Sequence, residues 1–143
     1  MTPAAETAPT ASPAPFRHTL RVYWEDTDAG GVVFYANYLK FFERARTEWL
    51  RALGLGQQAL RESTGALFVV TDTRVRYLAP ARLDDLLEVT VQLRAGGKAS
   101  MTLVQEAWRG DTLLAEGEIR IGCVHEGSFR PRRIPTALMN ATA

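Results

Sequence analysis

The chain has 143 residues, 46% hydrophobic and 23% charged, with a formal net charge of +1. These figures fit one compact domain with a real core, and they give no global pull toward nucleic acid or an acidic membrane surface. No apolar run reaches the ~20 residues that span a bilayer, and a single cysteine, Cys123, excludes an internal disulfide and a cysteine-rich zinc site.

Residues 1–16 hold Pro3, Pro9, Pro13 and Pro15 among Ala and Thr, without the basic start and apolar stretch of a secretory signal. They offer too little apolar surface to offset the entropy of ordering. A mobile tail over 1–16 and a single domain over 17–143 are therefore expected, with a cytoplasmic location by default. His18 to Trp24 reads as a strand, with Leu20, Val22 and Trp24 on one side. An acidic turn with two adjacent glycines follows. From about Asn37 to Leu53, Tyr38, Phe41, Phe42, Ala45, Trp49, Leu50 and Leu53 form one broad helical stripe. Lys40, Glu43, Arg44, Arg46, Thr47 and Glu48 populate its other faces, Asn37 reads as its cap, and Gly54 and Gly56 stop it.

Gln57 to Gly65 reads as a short link with room for one helical turn. Ala66 to Tyr77 is the second strand, ended by Ala79-Pro80-Ala81. Leu86 to Leu93, Ala99 to Trp108 and Thr112 to Val124 complete the set, joined at Ala95-Gly96-Gly97-Lys98 and Arg109-Gly110-Asp111. Cys123 lies in an apolar alternation and reads as a buried structural thiol. The segment from Glu126 is expected to trail over the surface. One strand, one long helix and four strands joined largely by short turns predict an α+β layer of antiparallel sheet and helix.

Glu25, Asp26 and Asp28 crowd three carboxylates before Gly30 and Gly31, at the junction of strand and helix. A carboxylate beside a helix N-terminus, where free N–H groups stabilise negative charge, is an apparatus for attacking a carbonyl. A solvated acidic turn is the bland alternative. A calcium loop fails because its twelfth position falls on Asn37, where a bidentate glutamate is required. Serine-hydrolase chemistry fails for want of a Gly-x-Ser-x-Gly motif, and His18 and His125 are too separated to suggest a metal site.

Tyr23 to Leu53, with Trp24-Glu25-Asp26-Thr27-Asp28-Ala29-Gly30-Gly31-Val32-Val33, resembles the hotdog-fold acyl-CoA thioesterases. The nearest branches are the Tol-Pal-associated and 4-hydroxybenzoyl-CoA thioesterases. Tyr77 to Val89 resembles the family's second recognisable segment. The resemblance implies a five-stranded antiparallel sheet wrapped around one long helix, assembled as a homodimer or homotetramer with active sites at the dimer interface. It implies acyl-CoA hydrolysis by Asp28, as nucleophile or general base, with the backbone N–H of Tyr35 polarising the thioester carbonyl. Glu25 and Asp26 are then structural. Many Tol-Pal-type members carry histidine where this chain has Tyr35.

Gly30, Gly31 and Val32 would line the substrate's approach, and Arg82 and Lys98 are candidates for the phosphates of coenzyme A, which is substrate rather than cofactor. No metal, nucleic-acid partner or membrane insertion is expected. Two alternatives stand beside this reading: a non-catalytic thioester-binding or envelope-associated scaffold, and a hotdog dehydratase, which would need a histidine this chain does not place.

Overall fold

The structure is a computed structural model and describes residues 14–142. Most of the tail expected over 1–16 thus lies outside the described residues. The elements run β1 (Phe16–Arg21), a 3₁₀ turn (Trp24–Asp26), α1 (Asn37–Ala52), α2 (Gln57–Thr64), β2 (Ala66–Tyr77), β3 (Leu86–Gly96), β4 (Ser100–Arg109), β5 (Thr112–His125) and α3 (Thr136–Thr142). The five strands form one sheet in the order β1-β3-β4-β5-β2, every pair antiparallel. β1 and β2 are its edges.

Side chains of a strand alternate between faces, and the inward set is nearly all apolar. Leu87, Val89 and Val91 of β3, Met101, Leu103 and Ala107 of β4, and Ala115, Ile119, Ile121 and Cys123 of β5 are buried. Against them α1 lays Tyr38, Phe41, Phe42, Ala45, Trp49 and Leu50. Phe41 and Phe42 are 0% exposed, and burying each stabilises the fold by roughly 1.5–3 kcal/mol. The fit is closest at Gly117, where an added Cβ would stand 2.9 Å from the Phe42 ring. Only glycine lets the helix sit that near the sheet.

Four expectations need correction. The first strand ends at Arg21; Trp24 enters the 3₁₀ turn and is 81% exposed, because the Asp26 carboxylate accepts the Tyr23 N–H at 2.8 Å and curls the chain. α2 has eight residues, closed by Gly65 in the left-handed region at φ 72°. The segment after Glu126 does not simply trail: Ile134, ahead of α3, and Leu138, within it, are buried, and the Ile134 N–H donates to the Lys98 carbonyl at 2.8 Å. Asn37 is the first residue of α1, with Ala36 at the cap position and no side-chain cap bond. Among the described residues no helix is long and apolar enough to cross a membrane.

Candidate functional site

The acidic turn is a miniature hairpin. Thr27 bridges Val33, the Asp28 N–H donates to the Val32 carbonyl at 2.9 Å, and the Gly31 N–H returns to the Asp28 carbonyl at 3.0 Å. Gly31 closes the turn at φ 81°, a region L side chains avoid. The Asp28 carboxylate folds over this turn, its Oδ1 accepting the Gly30 N–H at 2.8 Å. A Cβ on residue 30 would lie 3.2 Å from that oxygen, so Gly30 makes room for the carboxylate. Asp28 is exposed, and its Oδ2 has no partner among the described residues.

Asp26 has a different role. It is 4% exposed; Oδ2 accepts the Tyr23 N–H and Oδ1 accepts the Asn37 amide at 2.7 Å. Its carbonyl takes the Phe34 N–H at 3.0 Å, and the Phe34 carbonyl takes the Asn37 N–H at 2.8 Å. Two residues thus clamp the turn to the start of α1. The second bond pins the peptide between Phe34 and Tyr35, and with it the direction of the Tyr35 N–H, which has no acceptor among the described residues.

The clamp and Tyr77 are features of the candidate site that sequence reasoning missed. Tyr77 ends β2 and donates its hydroxyl to the Tyr35 carbonyl at 2.9 Å, its ring edge-on to those of Tyr35 and Tyr38. Its position immediately before the Leu78-Ala79-Pro80 break was the available signal. Tyr38 accepts the Ala81 N–H at 3.2 Å; burial raises its phenol above the ordinary value, outweighing that bond, which pulls the other way. Val33, Tyr35, Tyr38, Tyr77, Leu78, Ala79 and Pro80 line a cleft of about 280 Å³ beside the hairpin.

The structure gathers Asp28, Gly30, Gly31, Val32 and Tyr35 in this one loop. It also brings Arg82 to it, through an antiparallel bridge between Val32 and Arg82 and a 2.8 Å bond from the Val33 N–H to the Ala81 carbonyl. Lys98 is not brought there. It follows β3 at the end of the sheet away from the hairpin, and an eleven-residue strand spans roughly 35 Å.

Comparison with known proteins identifies the family. The description "thioesterase-like superfamily" belongs to a family model that matches residues 22–142. The chain is 45% identical over 125 residues to the acyl-CoA thioester hydrolase YbgC of Escherichia coli O157:H7, covering 87% of this chain and 92% of that protein. It is 42% identical over 120 residues to the acyl-CoA thioesterase YbgC of Haemophilus influenzae, covering 84% and 88%. A solved probable thioesterase from Bartonella henselae superposes with a TM-score of 0.81 at 32% identity, covering 85% of this chain and 100% of that one. The hairpin, the helix it opens and strands β2 to β5 fall within the span of that family model, and the chain belongs to the thioesterase-like superfamily.

Proposed function

We propose that Asp28 and the Tyr35 N–H are the catalytic centre with which this acyl-CoA thioester hydrolase releases free acid and coenzyme A. The observation that carries the assignment is the state of the Asp28 carboxylate. One oxygen is held by Gly30, and the other is exposed and unengaged in the loop that leads to the Tyr35 N–H. Asp28 acts in one of two ways. Its carboxylate attacks the carbonyl carbon, expelling the thiolate and leaving a mixed anhydride that water cleaves; or it takes a proton from the water that attacks. Both routes place negative charge on the carbonyl oxygen, which the Tyr35 N–H stabilises. The thiolate is a good leaving group, so no strong general acid is needed.

The active unit is inferred to be a homodimer or homotetramer. Two observations support this. Tyr23, Trp24, Phe34 and Tyr35 are 61%, 81%, 47% and 65% exposed around the site, a patch that single chains rarely leave in water. The twelve-residue edge strand β2 has no partner on its outer side among the described residues. Arg82 beside Val32 is the phosphate ligand available within one chain; Lys98 would serve a site on a neighbouring copy.

Asp28→Asn tests the assignment. With acyl-CoAs of several chain lengths and one aryl-CoA, kcat of the best substrate should fall roughly 10²–10⁴-fold, the contribution of a positioned base. Hydrolysis at the parent rate would refute it.

A further inference from the structure

A second cavity, of about 270 Å³, lies between the C-terminal half of α1 and the sheet, away from the Asp28 hairpin. Its floor is apolar, formed by Trp49, Leu50, Phe68, Met101, Leu103 and Ile121. At its rim stands Arg46, which the helical pattern places among the polar faces but which the structure half-buries.

Arg46 is held by an unusual partner. Gln105 is 0% exposed, and its amide donates to the Phe42 carbonyl at 3.0 Å and the Thr90 carbonyl at 3.3 Å. With the Gln105 amino group donating to a carbonyl of α1 and a carbonyl of β3, the amide is oriented and its oxygen is left to accept Arg46 Nη1 at 2.9 Å. That is the only hydrogen bond of the Arg46 side chain among the described residues, and it makes no ion pair within 4.0 Å there. Glu43, also at the rim, acts on it electrostatically from farther off, while its own carboxylate accepts the Thr47 hydroxyl at 2.8 Å. A half-buried guanidinium braced by a neutral amide, with donors unused above an apolar floor, is complementary to an anion that carries an apolar body.

We propose that this cavity binds a free carboxylic acid, its carboxylate on Arg46 and its hydrocarbon or aryl part against Trp49, Phe68 and Leu103. The binding claim stands on the cavity alone. That such an acid is also the product of this enzyme rests on the thioesterase reading, and together they make the cavity a product site separate from the catalytic loop.

Calorimetric titration of the full chain with octanoate, benzoate and neutral octan-1-ol tests this. Octanoate or benzoate should bind saturably, and Arg46→Gln should weaken the acid roughly tenfold or more while leaving octan-1-ol unchanged. Val70→Trp, at a half-exposed position in the cavity lining, should weaken acid and alcohol alike and serves if Arg46→Gln fails to fold. Asp28→Asn should bind the acid as the parent does while losing hydrolysis. Equal acid affinity in the parent and Arg46→Gln, loss of acid binding in Asp28→Asn, or no acid binding at all would overturn the proposal. Retained hydrolysis in Asp28→Asn would instead refute the catalytic assignment.

Discussion

The Asn37 amide donates to the Asp26 carboxylate at 2.7 Å inside the protein, joining the last residue of the 3₁₀ turn to the first residue of α1. The bond spans eleven positions of sequence and encloses the whole Asp28 hairpin. Asn37→Ala should therefore leave a buried carboxylate short of a donor, at a cost of about 1.5–3 kcal/mol. Urea unfolding measures that cost. Activity should fall further than the lost stability explains, because the Tyr35 N–H loses its alignment; unchanged kcat in the folded variant would separate the clamp from catalysis.

Tyr77→Phe removes one hydroxyl and keeps the ring. The bond to the Tyr35 carbonyl is exposed, so stability should change by less than about 1 kcal/mol. If that bond steadies the anion-stabilising peptide, kcat should drop roughly two- to tenfold with KM little altered. Steady-state kinetics on one acyl-CoA decides it.

Alkaline stability should report on Tyr38. Burial holds its phenol above its ordinary value of 10.0, so the unfolded chain gives up this proton first. The stabilisation from this group is complete below that value and is lost as pH climbs toward the folded-state value. Denaturant melts between about pH 8 and 11 should show the decline, and Tyr38→Phe should remove part of it. Tyr77 and Cys123, raised mainly by the same burial, keep their share.

Light scattering at micromolar concentration should give two or four times the chain mass. Trp24→Glu, a charge placed in the exposed aromatic patch, should shift the protein toward smaller species and lower activity together. A fully active monomer would count against an interfacial site.

The order of elements was legible because period and punctuation agree: Phe41, Phe42, Ala45 and Trp49 mark a helical face, and Gly96-Gly97 and Gly110 mark hairpins. The site was legible only as a segment. Asn37 reads as a cap because cap preference is a local rule, whereas its partner is a carboxylate set by the tertiary fold. Gln105 occupies an inward position of β4 that alternation alone would fill with an apolar residue, and nothing nearby in sequence announces the Phe42 carbonyl that satisfies it. Arg46 shows the same limit on a helix. α3 escaped notice because seven residues are too few for a periodic signal, and Ile134 and Leu138 are buried by joining a core cluster built from residues distant in sequence.

The bond from Val33 to Ala81 and the bridge from Val32 to Arg82 lash the Asp28 hairpin to the link that leaves β2, the strand at the rim of the sheet. A neighbour that docks along that rim would press on the same backbone that aims the carboxylate, so assembly itself could tension the catalytic loop. If the proposed oligomer pairs along this rim, its quaternary contact and the geometry of the Asp28 hairpin would be set in a single act.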